Sequence, residues 1–131
     1  MRKSTSKYIP NFEIIDYSHE DKVDAPSGTA RELAYRLSKV QKPNKFVTEE
    51  ELIGEKSSRG ANINDVQIHS IRLPEHVISI ESIFGLKDEK LSLRHDSGAS
   101  AVPYVKGGLL AIEKVGTFKG LPRRLDSVMD F

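Results

Sequence analysis

Three features of the sequence predict an α+β fold, an open mixed four-stranded sheet with helices packed on one face. Val66–Leu73 and Val77–Phe84 alternate in character, the period of strands whose two faces meet different surroundings. Between Ala30 and Gln41 the apolar residues recur at helical spacing instead. The elements follow in the order β-α-β-β-β-α, which is neither a run of βαβ units nor an all-β pattern.

Met1–Pro10 is basic and short of apolar residues, and it reads as an irregular start or a helix fragment closed by Pro10. Phe12–Tyr17 has the aromatic and β-branched content of a strand. Lys22-Val23-Asp24-Ala25-Pro26-Ser27-Gly28-Thr29-Ala30 then reads as a tight loop feeding a helix. Pro26 fixes one φ angle, and Gly28 is expected to take a backbone conformation that other residues resist. Ser27 or Thr29 caps the helix Ala30–Gln41, with Ala30, Leu33, Ala34, Leu37 and Val40 on its apolar side. Pro43 and its polar neighbours make Gln41–Thr48 a connection, and Ser57–Asn64 reads as a polar loop. After Val66–Leu73 and Val77–Phe84, a turn at Lys87–Lys90 leads into Leu91–His95 to complete a hairpin. One face of these strands mixes apolar and polar residues, which suits contact with another subunit. Pro103 opens a second helix, Tyr104–Val115, whose buried side is expected to carry Tyr104, Gly108, Ala111 and Val115. Gly107-Gly108 points to close packing there. The apolar residues of Leu121–Phe131 are expected to dock onto something.

Composition narrows the function. A chain of 131 residues with 37% hydrophobic and 30% charged residues is ordinary for one soluble globular domain. A net charge of +1 gives no strong pull toward nucleic acid or anionic membranes. Without cysteine there is neither a disulfide nor a thiolate metal site. No apolar run approaches bilayer length and no signal-peptide core opens the chain, so a soluble, cytoplasmic protein is expected. Glu49-Glu50-Glu51 reads as a solvated acidic patch, and no metal-ligand spacing links His69, His76 and His95. No metal site is expected.

The informative stretch is the loop and what precedes it. A helix N-terminus offers unpaired N–H groups and the positive end of a dipole. His19 and Lys22 stand just upstream, one able to donate near neutral pH and the other fully charged. Together with Ser27, Gly28 and Thr29 they form a compact receptor for a carboxylate. The plainer alternative is a well-capped helix and nothing more.

The string Glu13–Ala30 resembles the signature of the 4-hydroxy-tetrahydrodipicolinate (dihydrodipicolinate) reductases, approximately E-x-H-H-x-x-K-x-D-A-P-S-G-T-A. His19, Lys22, Asp24, Ala25, Pro26, Ser27, Gly28, Thr29 and Ala30 stand in register with it. Looser likeness continues through Arg59-Gly60, His69–Arg72, Glu75–Val77 and Leu93–His95, and so covers most of the chain. Departures from the pattern matter. The first histidine of the pair, used in proton transfer, is Ser18 here. The segment between Arg72 and Glu75 is short, and Gly98-Ala99-Ser100-Ala101 stands where an arginine is common.

The resemblance implies a substrate-binding and tetramerisation domain of a lysine/diaminopimelate-pathway reductase, which reduces a cyclic dicarboxylate imine with NADPH or NADH. It implies His19, Lys22, Ser27, Gly28 and Thr29 as substrate-binding residues, with Lys22 the best remaining proton donor and Ser18 at the family's catalytic position. It also implies a homotetramer built through the open sheet face. On this basis residues 1–10 are a remnant of an interdomain connection, 11–116 the substrate-binding and oligomerisation domain, and 117–131 a tail returning toward the cofactor domain. None of the nine glycines falls in a G-x-G-x-x-G spacing. The chain alone is therefore expected to bind no dinucleotide and to be inactive, as a truncated or naturally short form. The alternative is a non-enzymatic oligomerisation or binding module derived from the same fold.

Overall fold

The structure, a computed structural model, describes residues 2–45, 47–117, 119, 120 and 125, with residues 2–4 described in their backbone only. Its contacts divide the chain into two units, Met1–Gly98 and Ala99–Phe131.

The first unit is a five-stranded mixed sheet with two helices. In chain order it runs α1 (Arg2–Tyr8), β1 (Asn11–Ser18), α2 (Gly28–Ser38), β2 (Ala61–Ile63), β3 (Val66–Arg72), β4 (Ile78–Leu86) and β5 (Glu89–Ser97). The strands lie in the order β2-β3-β1-β4-β5. Only β1 and β3 are parallel, with Ile14 opposite Ile68 and Asp16 opposite Ser70. On the other side β1 pairs antiparallel with β4, Phe12 opposite Phe84 and Ile14 opposite Ser82.

Alternation along β1 is strict, every second residue from Phe12 to Ser18 being buried. Phe12 and Ile14 join Val66, Ile68, Ile80 and Phe84 beneath Ala30, Ala34 and Leu37 of α2 in one core. The Phe12 and Phe84 rings meet tilted, with centroids 5.5 Å apart, and each such ring contributes about 2–3 kcal/mol through burial. The expected stripe of the first helix is thus the face that packs on the sheet, although Val40 lies beyond the helix end and is exposed.

Two expectations are corrected. The sheet has five strands, not four, because Ser57–Asn64 is only partly loop. A 3-10 turn at Lys56–Arg59 leads into β2, which folds back on β3 through Asn64-Asp65, with φ of 53° and 68°. Two positive φ angles in a two-residue connection match the right-handed twist of a hairpin, and Asn and Asp tolerate them best. Gly60 is required before it, since at φ 71° a Cβ would lie 2.3 Å from the Ile68 carbonyl oxygen. The second hairpin is tighter than expected, with β4 and β5 joined by Lys87-Asp88 alone. At the N-terminus, Arg2–Tyr8 is helical and packs against α2 and β4, with Ser6 fully buried.

In the second unit α3 runs Val102–Lys114, with Pro103 in its first turn, and passes into a 3-10 turn at Val115–Thr117. The buried side expected for it is not found: none of its residues is buried, and Tyr104, Leu109 and Ile112 of α3 and the following Val115 are exposed. Periodicity identifies a face able to bury, but not what covers it. The close approach expected at the glycine pair does occur, as a Cβ on Gly107 would stand 2.7 Å from Leu125 Cδ2. The rest of the 121–131 tail lies outside the described residues.

Candidate functional site

Parallel pairing of β1 and β3 sends both carboxyl ends to the same edge of the sheet, and the loop from β1 into α2 lies over that edge. This is where α/β-type crossovers place ligands, because helix N-termini converge there. The loop ends in a peptide bond, Ala25–Pro26, that is cis. Ser27 follows as the N-cap of α2, with extended φ and ψ of −61° and 157°, and its hydroxyl accepts from the Ala30 amide at 3.2 Å.

At the centre of the edge is Asp16. Its Oδ1 accepts from the Ser27 hydroxyl at 2.7 Å. Its Oδ2 accepts from the Ser27 amide at 2.8 Å, from Arg72 at 2.8 Å and from the Ser70 hydroxyl at 3.3 Å. Burial pushes the Asp16 carboxyl upward, but the bonds from Arg72 and Ser27 outweigh it and hold the group below its ordinary value. Arg72 also donates to the Asp16 and Ile71 carbonyls and, at 2.8 Å, to the Asp24 carbonyl within the loop. Neither Asp16 nor Arg72 was singled out from the sequence as a site residue. Two signals were available: Asp16 stands at the opening acidic position of the E-x-H-H signature, and both residues occupy an inward position of an alternating strand, where an apolar residue is the ordinary choice.

The expected site residues gather around this framework. The Lys22 amide donates to the His19 carbonyl at 3.2 Å, which turns the chain so that both side chains stand at the same edge. His19 Nδ1 lies 2.7 Å from Asp21 Oδ1. Facing a carboxylate, Nδ1 carries the ring proton, which leaves Nε2 as the nitrogen for a ligand. Lys22 Nζ is 2.5 Å from Asp24 Oδ1. Lys22 draws the Asp24 carboxyl below its ordinary value, with smaller help from the backbone amides of Asp24 and Gly28. A carboxylate thus already rests on the Lys22 ammonium. Gly28 and Thr29 are exposed. The conformational role expected of Gly28 is corrected: it is the first helical residue without a positive φ, and a Cβ there would meet nothing within 4 Å. What glycine contributes is an uncovered amide. The Ser27 hydroxyl proton is given to Asp16, so Ser27 serves the anion site through the helix start it caps.

Ser18 is buried, and its hydroxyl donates to the Val77 carbonyl at 3.0 Å, while its own carbonyl accepts from the Leu73 amide at 3.2 Å. Two of the departures noted in the sequence therefore meet: the serine at position 18 ties down the connection between β3 and β4. Its proton points into that connection. Arg59 pairs with Glu13, which also faces His69 Nε2 at 2.6 Å. Glu13 and His69 lie on the sheet face opposite Asp16, by the alternation of β1 and β3. No group of three or more metal-ligating side chains is found among the described residues.

Fold and site together define a small α+β domain with a strand–loop–helix turn at the carboxyl edge of its one parallel strand pair. Residues 1–129 match the family described as "Dihydrodipicolinate reductase, C-terminus". The chain belongs to that family. It is 36% identical over 128 residues to the 4-hydroxy-tetrahydrodipicolinate reductase of Desulfitobacterium hafniense, covering 98% of this chain and 48% of that protein. To the enzyme of the same name from Mycolicibacterium smegmatis it is 37% identical over 131 residues, covering 98% and 52%. Among solved structures it resembles a dipicolinate-bound dihydrodipicolinate reductase from Paenisporosarcina sp. TG-14, with a TM-score of 0.85, 31% identity, and coverage of 98% of this chain and 48% of that one. The chain spans about half the length of the relatives it matches.

Proposed function

We propose that this chain is the substrate-binding and assembly half of a dihydrodipicolinate reductase and that it holds a cyclic dicarboxylate over the N-terminus of α2. The observation that carries the reading is the Asp24 carboxylate lying on Lys22 at 2.5 Å beside the exposed start of α2, a cation and a helix N-terminus of the kind a ligand carboxylate needs. The dipicolinate named in the related solved structure is a planar ring with two such groups. In this reading an incoming carboxylate takes the place of Asp24 on Lys22 and on the Gly28 and Thr29 amides, with the Thr29 hydroxyl and His19 Nε2 at its side. Lys22 then stands as proton donor to the ring nitrogen, assisted by His19. Ser18 takes no part, its hydroxyl proton being engaged by Val77.

NADPH or NADH would supply the hydride, but the residues of this chain do not fit a dinucleotide. The strand–loop–helix turn above the parallel pair carries the Asp16 and Asp24 carboxylates where a pyrophosphate would need a glycine-rich turn. The cofactor is therefore assigned to a separate domain. Residues 11–116 are taken as the substrate and assembly domain, with 1–10 and 117–131 as its connections to that partner domain. The open sheet face, with Ile15, Tyr17, Ile71 and Ile83 among its charged residues, is assigned to a homotetramer. A cytoplasmic setting goes with this reading and rests on the relatives' activity.

One observation favours the second reading, a binding module without reductase chemistry: position 18 is built into the loop rather than offered to a ligand. Calorimetric titration with pyridine-2,6-dicarboxylate separates binding from its absence. The expected result is saturable binding that weakens about tenfold or more in Lys22→Ala, the cost of a charged hydrogen bond. No binding at millimolar ligand overturns the substrate reading. Assay of the chain joined to a family cofactor domain then decides between reductase and module.

A further inference from the structure

The second half of the ligand-facing loop has no ladder of its own. Among the described residues, no backbone-to-backbone hydrogen bond engages residues 23–26. Val23 is fully exposed, and Ala25 is exposed as well. The segment's own anchors are the buried Pro26 and the Lys22–Asp24 ion pair. A segment without ladder bonds still samples many backbone shapes unless its carbonyls and amides are held as well. Here the outside bonds come from two side chains of the sheet. Arg72 reaches from the end of β3 to the Asp24 carbonyl at one end of the segment. Asp16 reaches from β1 to the amide and hydroxyl of Ser27 at the other end. The two are joined to each other at 2.8 Å, and Arg72 bonds the Asp16 carbonyl as well.

We propose that Asp16 and Arg72 are positioning residues: they form one strap across β1 and β3 that fixes the span from Asp24 to Ser27 and thereby aims the Gly28 and Thr29 amides. The chain of bonds runs from the Arg72 guanidinium through Asp16 and the Ser27 hydroxyl to the Ala30 amide, so it ends at the first turn of α2. The strap depends on the planar fork of arginine, whose nitrogens bond the Asp16 carboxylate, the Asp16 and Ile71 carbonyls and the Asp24 carbonyl at once. Lysine supplies the charge but not the fork. The ligand arm of this inference rests on the substrate reading above; the loop arm does not.

The test compares the wild-type chain with Arg72→Lys and with the isosteric Asp16→Asn, by residue-resolved amide hydrogen exchange and by titration with pyridine-2,6-dicarboxylate. The strap predicts that in Arg72→Lys the Ser27 amide exchanges at least tenfold faster while the Ile14 and Ile68 amides keep their protection. It also predicts that dicarboxylate affinity falls about tenfold at an unchanged melting temperature, which support of the fold alone would not produce. Should Arg72→Lys not fold, Asp16→Asn is read by the ratio of exchange at Ser27 to that at Ile14 and Ile68 and by dicarboxylate affinity, since loss of the charge paired with Arg72 lowers its melting temperature as well. Wild-type exchange at Ser27 in a folded variant overturns the strap. So does exchange that quickens equally at Ser27, Ile14 and Ile68, since the pair would then serve the whole sheet. Faster exchange at Ser27 alone, with no binding even by the wild type, upholds the strap and removes the substrate reading instead.

Discussion

The two faces of β1 carry polar residues to opposite ends. On the helix-covered face Asp16 and Ser18 are buried, and each carries bonds to backbone elsewhere: Asp16 to the Ser27 amide, Ser18 to the Val77 carbonyl. On the open face the polar groups form side-chain pairs. Tyr17 donates to Glu81 at 3.2 Å and lies under the Arg94 guanidinium, which in turn bonds Asp96. Burial raises the Tyr17 hydroxyl above its ordinary value, and the neighbouring Glu81 adds to this. Across the sheet, Glu13 gathers Arg59 and His69. The contrast is physical: a buried polar group must be satisfied and so dictates where backbone runs, whereas exposed pairs exchange with water at little cost. The inward side of β1 therefore builds a loop, and the outward side offers a surface.

The largest effect that can break this contrast is at Asp16. Asp16→Ala leaves the largely buried Arg72 without its carboxylate and is expected to cost about 3 kcal/mol or more, read by urea denaturation. A loss no larger than that of an exposed pair would place Asp16 with the outward residues.

Acid stability sharpens it next. The Asp16 carboxyl is held below its ordinary value near 3.8 in the folded chain, so its contribution is present above that value and is lost as pH falls through the lower folded one. Stability is expected to drop steeply below about pH 4, with Asp16→Asn showing a flatter acid limb. The half-buried Asp24 and Asp65 and the exposed Asp96 and Glu51 are shifted in the same direction and leave a shallower slope behind.

The smallest effect is expected on the open face. Arg94→Ala should change the stability of the folded unit by no more than about 0.5 kcal/mol, while shifting the assembly state measured by sedimentation. A large loss of stability without a change of assembly would reverse the roles of the two faces.

Much of this arrangement was legible in the sequence, and the limits have physical causes. Alternation marked β3 and β4, and helical spacing marked the face of α2, because both periodicities come from a single buried side. The Lys22–Thr29 loop stood out by its residue types. β2 was missed because three residues are too few for a period to appear, and its marker was the Asn64-Asp65 turn instead. Asp16 and Arg72 were missed as a pair because parallel pairing joins residues 56 positions apart. Sequence parity shows that a polar residue points inward but not which other inward residue it meets. The exposed face of α3 failed for the reverse reason: its pattern was visible, and its cover was not.

The central claim is that an anion binds on the helix-covered side of the carboxyl edge, at the start of α2. Amide chemical-shift mapping during titration with pyridine-2,6-dicarboxylate tests it most directly. The account predicts that Lys22, Gly28 and Thr29 shift most and together, while Tyr17, Glu81 and Arg94 stay in place. Shifts confined to the open face, or none at saturating ligand, would contradict it.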